Sequence, residues 1–597
     1  VQRPIRHSDF GIPSDFVIRH SVLVIPFMTV LPIVDRELRV AARRRTTYLT
    51  RIGAAALVIL IFGGLQVTQS FRVGPFFTLG QAQFFVLKWL GFLFACSAGL
   101  FLTSDALSEE KREGTLGLLF LTDLRGYDVV LGKFISHSIQ AFYGLMAAFP
   151  VLALTLLAGG VSAGEFWRMM LVFCNTLFFS LSAGLMISSI SHDAMKAING
   201  TLLLCLLTIA GLPLADFAIA GWDPTKFVPR LSLASPGYLF VTAGATATKA
   251  YWFQLGLQQF LGWTFLAASC VRTPRTWQDK PAGATGAGSL LGRFWRYGTP
   301  RGRAALRRRL LAHDPILWLA MRDRWLPRLV WTVAWLTVGA ISWGIFRSGD
   351  SKVPLTAGYY GQGLFVLALF LWMATQASRF LVDAVRTGAM ELLLVAPVNP
   401  PQIVRGQWSA LRRTFLFPAL LVVGLKVAGG IVVALEFQKS MSSAGAGPGF
   451  NFIQYHMVNI AAAVVNFLAD LLAVGWFGMW MGLTTKKTTM AVVKTFVFVV
   501  ALPWLASMFL QGFLVSFLAI STGFSGTFGG WVWWLRPALS VTFTVGKDIF
   551  FIRWSRHKLL TGMRDSASRD SPRVMSQSPV RLPASSKPPR IAGATTP

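Results

Sequence analysis

Long apolar stretches, interrupted by short charged or glycine-rich segments, dominate this chain. A helix needs about 20 consecutive apolar residues to cross a bilayer, and such stretches fall near 52–69, 82–103, 133–158, 166–190, 196–220 and 250–271. A second set follows near 328–346, 360–381, 411–435, 453–482, 488–520 and 531–552. The last stretch contains Arg536, Pro537, Lys547 and Asp548, and the one before it is long enough to hold a broken or re-entrant helix. Eleven spans therefore stands beside twelve.

Between the spans the pattern changes its period. From Met28 onward, Leu31, Val34, Leu38 and Ala41 recur at helical spacing, while Asp35, Arg36, Glu37, Arg39 and Arg43 take other positions, which predicts an amphipathic helix lying in the membrane interface. A similar segment precedes the second set of spans, with Pro315, Ile316, Leu317, Leu319 and Met321 ahead of Arg322, Asp323 and Arg324. Residues 273–314 are expected to form a cytoplasmic linker, since 273–300 is rich in Gly, Pro and basic residues and lacks apolar periodicity. The Ser-, Pro- and Arg-rich end predicts a disordered cytoplasmic tail over 556–597. Residues 1–27 read as an extension ahead of a start at Met28, because Pro26 and Pro32 interrupt the apolar run 21–34 and no signal-peptide cleavage pattern follows.

Composition agrees with this layout: 54% of residues are hydrophobic and only 14% charged, too apolar for a soluble globule of this length. The net charge of +31 would suit nucleic acid, but its placement excludes that reading. Arg36 to Arg51 precede the first span; Lys111, Arg112, Arg125 and Lys133 follow the second; Lys196 follows the fourth; Arg293 to Arg309 follow the sixth. The alternate loops, 159–165 and 521–530, carry almost none. By the positive-inside rule both termini and the linker face the cytoplasm, and this sidedness favours twelve spans. Cys96, Cys174, Cys205 and Cys270 all fall within spans without a close pair and read as small core residues.

The most informative charged stretch is Glu109 to Phe134, between the second and third spans, because a degenerate copy recurs. At an offset of 274, Gly114, Leu118, Leu119, Val130 and Gly132 coincide with Gly388, Leu392, Leu393, Val404 and Gly406. Upstream, Asp105 and Ala106 meet Asp383 and Ala384 after a four-residue gap. Each copy follows the second span of its set, which predicts two similar halves, 28–272 and 315–555. Asn399 and Pro400 suit an N-cap followed by a first helical residue. In the first copy a charged end, Glu109 to Glu113, adjoins an apolar end, Leu116 to Leu121. A short helix of that kind can press its apolar face on a partner while staying joined to two spans. The second copy departs from it: Arg386, Thr387, Gly388 and Ala389 replace the acidic cluster and the Gly-Thr pair, although Glu391 remains, so unequal surfaces are expected.

Ser108, Glu109, Glu110, Gly114, Thr115, Leu116, Gly132 and Lys133 resemble the S-E-E-x-x-x-G-T-L signature and following G-K of the type-2 ATP-binding cassette permease family. The resemblance extends over most of 28–555 and is similar to the arrangement in which one polypeptide supplies both permease halves. It implies an all-α polytopic membrane protein, about twelve transmembrane helices in two six-helix repeats with interfacial and cytoplasmic coupling helices. It further implies an exporter in a bacterial cytoplasmic (inner) membrane. The implied partners are two copies of a separate nucleotide-binding ATPase subunit, with ATP and Mg held there. Coupling is implied at Ser108, Glu109, Glu110, Glu113, Gly114, Thr115, Leu116, Asp383, Gly388 and Glu391, and at the interfacial helix. The second and fifth spans of each half would line the path between halves.

The residues themselves supply no energy source. A G-x-x-x-x-G-K-[ST] phosphate cradle is absent, so the chain is not expected to be an enzyme or to hold a cofactor. Gly160 to Gly164 spell G-x-S-x-G, but in a short loop between helices rather than a strand-to-helix elbow. His137, His192 and His456 are too scattered for a metal site. Lys88, Lys426 and Asp470 fall within spans, where a charge is costly and is directed to a partner or a wet path. Gly478 and Gly482 form a G-x-x-x-G step suited to close helix packing. A secondary transporter needs intramembrane carboxylates, few of which are present; a membrane scaffold for assembly or secretion shares the architecture. The substrate is not legible.

Overall fold

The computed structural model describes residues 79–122, 124–244, 249–276, 299–312, 314–322, 324–443, 452–485, 487–521 and 531–570, with scattered positions between 34 and 64. Regular structure among them is entirely helical, as a lipid-embedded chain requires, because a helix satisfies its own backbone groups without water. The protein is an all-α polytopic membrane protein. The expected interfacial residues Asp35, Arg36, Glu37 and Arg39, and most of the first span, lie outside the described residues.

In the first half, α1 (Leu79–Ala98) passes through a π turn at Gly99–Thr103 to two short helices, α2 (Ala106–Glu113) and α3 (Thr115–Phe120). Next come α4 (Gly126–Leu157), α5 (Ala163–Ile190) and α6 (Ala194–Leu206). A π turn at Leu207–Gly211 leads into α7 (Leu212–Ile219), followed by α8 (Pro236–Thr242) and α9 (Lys249–Thr276). Beyond residue 299 part of this order recurs. α10 (Pro300–Leu311) and α11 (Pro315–Met321) lead to α12 (Trp325–Ser348), α13 (Lys352–Arg386), the short α14 (Ala389–Val395), α15 (Pro400–Ser443) and α16 (Phe452–Thr484). α17 (Thr488–Phe496) and α18 (Leu502–Ser521) again flank a π turn, Val497–Ala501, before α19 (Trp531–Asp570).

Nine helices among the described residues are long and apolar enough to cross a membrane, and they occupy nine of the twelve expected stretches. Two more stretches are filled by α9 and α19, which fall outside that set. α9 carries Gln254, Gln258 and Gln259; α19 carries Arg536, Lys547 and Asp548. Local chemistry starts the helices where the sequence suggests: the Ser162 hydroxyl accepts from Glu165 N at 3.1 Å, Asp193 from Met195 N at 3.1 Å, and Asp314, ahead of Pro315, from Ile316 N at 2.9 Å.

Two boundaries differ from expectation. Within the expected linker, 300–311 is helical, capped by Thr299 with Pro300 in its first turn. Within the expected tail, 556–570 continues α19, where Leu559 and Met563, four residues apart, are fully buried; 571–597 lie outside the described residues.

Each half has its own apolar core, and each core takes in residues from the other half. Leu100, Ile198 and Leu202 of the first half join Leu369, Trp372 and Val474 of the second, while Leu505 joins Leu87, Phe173 and Leu177 of the first. Thus the fifth span of each half is shared. Close helix approach uses small residues: a Cβ on Gly482 would stand 2.8 Å from Ser378 Cα, and one on Gly478 3.0 Å from the Ala377 Cβ. The G-x-x-x-G step of α16 therefore faces the second span, α13.

Candidate coupling elements

The repeat is a repeat of backbone conformation. Gly114 (φ 72°, ψ −1°) and Gly388 (φ 70°, ψ 1°) both adopt the left-handed conformation at the start of α3 and α14, a conformation costly for residues with a Cβ. Positions 274 apart then share their fates: Leu116 and Met390 are buried, Leu118 and Leu392 are 65% and 74% exposed, and Leu121 and Val395 are 79% and 87% exposed. The third span restarts in the same way in both, since the Arg125 N–H donates to Asp128 at 2.9 Å and the Asn399 N–H to Gln402 at 3.1 Å. Each half thus presents a short helix with one apolar residue anchored inward and two facing outward.

The first element is bolted to its surroundings. The Ser188 hydroxyl, at the end of α5, accepts from the N–H groups of Leu107 and Ser108, 3.0 Å each, and so caps α2 from outside. Glu110 pairs with Lys133 of α4 at 2.7 Å. The Arg112 guanidinium grips Asp105 with two bonds, 2.9 and 3.0 Å, while the Ser108 hydroxyl donates to the same carboxylate. Lys111 donates to the Ser189 carbonyl and, at 3.0 Å, to Thr276 at the end of α9. Thr115 donates to the Glu110 carbonyl at 3.3 Å. Among the acidic residues, Glu110 faces inward, Glu113 is exposed, and Glu109 reaches Lys487 of the second half at 2.5 Å.

The second element is held differently. Asp383 is exposed and meets Arg379 one turn back at 3.6 Å; Glu391 is exposed on α14. Gln407 of α15 donates to the Gln376 and Ala377 carbonyls at 3.2 and 3.4 Å, fixing the third span to the second. A Cβ on Gly406 would stand 2.8 Å from Ile316 and 2.9 Å from the Asp314 carboxylate, so α11 lies close against the start of α15. α19 passes beside α14.

Of the intramembrane charges, Lys88 stands over the Phe84 and Phe85 rings at 5.7 and 5.5 Å, and Lys426 is half-buried on α15. Asp470 has a partner from the last expected span, 531–552. Lys547 donates to Asp470 and to Asp548, 2.5 Å each, and to the Val499 carbonyl at 3.1 Å. Its three donors thereby tie α16, the π turn and α19 together, which accounts for charge within the last stretch.

Sequence reading missed the serines, Asp193, Arg379 and Lys487. Ser188 looks like any small residue in a span, Asp193 and Lys487 lie in short connections where solvation alone would explain them, and Arg379 sits at the end of an expected span, on α13. Also unforeseen is a cavity of about 1270 Å³ between the halves. Its walls come from α6, α7 and Trp222 of the first half and from α12, α13 and Leu425 of the second, with Lys196, Thr332, Thr337 and Gln362 as its polar members.

Compared with protein-family models, residues 18–274 match the one described as ABC-2 family transporter protein. No curated protein matches the sequence.

Proposed function

We propose, from the match of residues 18–274 to the family model described as ABC-2 family transporter protein, that the whole chain is a two-half type-2 ABC permease that couples to separate nucleotide-binding subunits. The observation that carries this is the pair of left-handed-glycine elements, each offering an outward apolar pair, Leu118 with Leu121 and Leu392 with Val395. A rigid apolar knob at a membrane–water boundary is what a docking helix needs, and the sequence carries no G-x-x-x-x-G-K-[ST] stretch. ATP and Mg belong to the partner, two copies of which would dock. Ser108, Glu109, Glu110, Glu113, Gly114, Thr115 and Leu116 form the tightly braced element; Asp383, Gly388 and Glu391 belong to the looser one. The protein is a multi-pass membrane protein; we place it in a bacterial inner membrane with both termini cytoplasmic, working as an exporter, with the cavity between halves as the place for an amphiphilic substrate.

Affinity capture of the solubilised protein tests this. Leu118→Glu with Leu121→Glu should lose a nucleotide-binding ATPase that the wild type retains, with the membrane domain still folded. Glu110→Lys is the poorer probe, because Glu110 braces Lys133. Capture of no ATPase by the wild type would favour the secondary-transporter reading, for which the Asp470–Lys547–Asp548 cluster is the relevant observation.

A further inference from the structure

A buried carboxylate oxygen in the second half lacks a hydrogen-bond partner. Asp548 is 1% exposed; its Oδ1 accepts from Lys547 at 2.5 Å, and its Oδ2 receives no hydrogen bond. Lys547 cannot supply one, because its three donors are already directed to Asp470, Asp548 and the Val499 carbonyl. Two carboxylates against one ammonium leave one negative charge within the spans, where an uncompensated charge is costly. α19 packs on α14, α15, α16 and α18. The charges that meet there are Asp470 from α16 and Lys547 from α19 itself; among the described residues no side chain of α14, α15 or α18 is ion-paired to either carboxylate.

A polar seam leads to this cluster. On α16, Asn459, Asn466 and Asp470 follow one another at steps of seven and four residues, and on α19, Ser540, Thr544 and Asp548 at steps of four, spacings that keep each set on one helix face. The two faces meet: Asn466, one turn before Asp470, donates to the Ser540 hydroxyl at 2.9 Å, and Thr544 is buried. Beyond them a cavity of about 290 Å³ opens between α16, α18 and α19, lined by Tyr455, Asn459, Asn466, Gln511, Arg536 and Ser540 among others. It is polar and roomy enough for water. With the sidedness proposed above, it lies toward the outer ends of α16 and α19. Asn466 and Asp470 are about 6 Å apart along the helix, so polar groups continue from the cavity to the cluster. The fourth and sixth spans of the first half, α5 and α9, are tied instead by a neutral bond, Asn175 to Gln258 at 3.1 Å.

We propose that Asp548 is a proton-binding site, loaded from the outer cavity along this seam. Loading forms one O–H bond at Oδ2 with a proton drawn from water on the outer side, and it cancels the excess charge. A metal cation would have to compete for the carboxylate oxygens that the Lys547 ammonium already holds. Release of the proton restores the charge and strengthens the pull of Asp548 on Lys547. Lys547 also holds the Val499 carbonyl in the π turn of the fifth span, and Leu505, further along that span, sits in the core of the first half. Proton uptake and release therefore act on the element that the two halves share. The inference goes beyond the permease reading and needs no ATPase, so its failure and the failure of the docking test above are separate results.

Infrared spectroscopy of the full-length protein in lipid vesicles provides the test, because a protonated carboxylic acid has a carbonyl stretch that a carboxylate lacks. The wild type at neutral pH should show this band, it should fall as pH rises, and Asp548→Asn should abolish it. The charge count makes a second demand: Asp470→Asn leaves one carboxylate for one ammonium, so Asp548 should ionise and the band should vanish there as well. Asp548→Glu should shift the band in frequency while Asp470→Glu leaves it in place; the reverse would put the proton on Asp470 and overturn the assignment. Sodium added at constant pH should leave the band unchanged, and its loss would make this a metal-cation site instead. In D2O the band shifts as the proton exchanges; Asn466→Leu with Ser540→Ala makes the seam apolar and should slow that exchange, whereas an equal rate would overturn the route of entry. Absence of the band from the wild type at neutral pH, a result that needs no variant, would overturn the proposal, as would a band retained in Asp470→Asn.

Discussion

Gly114→Ala isolates one physical quantity, the cost of the left-handed conformation at the joint of the first candidate coupling element. At φ 72° and ψ −1°, a Cβ at position 114 would have nothing within 4 Å, so no packing clash contributes. The left-handed backbone costs a non-glycine residue about 1–2 kcal/mol, partly offset by about 0.4–1 kcal/mol because alanine restricts the unfolded chain more than glycine does. The net is about 1 kcal/mol, or about a fivefold rise in the population in which α3 is undocked. Gly388→Ala, at φ 70° and equally open, should loosen α14 by the same factor. Hydrogen–deuterium exchange of the amides of Leu118 to Leu121 and Leu392 to Val395 in lipid nanodiscs reads this directly. Gly114→Asn should exchange more slowly than Gly114→Ala, because asparagine tolerates this conformation better. Wild-type exchange rates in Gly114→Ala, or equal rates in the Asn and Ala variants, would refute backbone conformation as what holds the element.

Three further outcomes follow from the packing. Ser188→Ala removes the acceptor shared by Leu107 N and Ser108 N and should cost about 1 kcal/mol, seen as faster exchange of those two amides with α5 unchanged. Lys133→Met leaves Glu110, only 19% exposed, without its 2.7 Å partner; it should lower the thermal midpoint, and Lys133→Met with Glu110→Gln should recover most of the loss because no lone charge remains. Lys547→Met strands two carboxylates within the spans and should destabilise by about 3–5 kcal/mol in thermal unfolding, with Asp470→Asn and Asp548→Asn added to it restoring most of that.

The sequence by itself determined what depends on neighbours along the chain. Hydropathy located the nine helices among the described residues that are long and apolar enough to cross a membrane, since insertion of a helix in lipid is a property of about 20 consecutive residues. The 274-residue offset paired the two candidate coupling elements, and Gly114 and Gly388 proved to share one backbone conformation. Asn399–Pro400 marked the start of α15, and Gly478 and Gly482 a close contact. Local composition misled at 300–311 and 556–570, where sparse apolar residues sit in basic sequence; burial of Leu310 and Leu559 against other elements stabilises those helices. Tertiary structure alone decided which of the charges are paired. Glu109 and Lys487 are 378 positions apart, and nothing in the sequence around either marks the other. Asp470 read as an isolated intramembrane charge until α19 brought Lys547 beside it. The reason is physical: a helix, a cap or a left-handed turn is set by interactions within a few residues, whereas an ion pair between halves depends on how two folded surfaces meet.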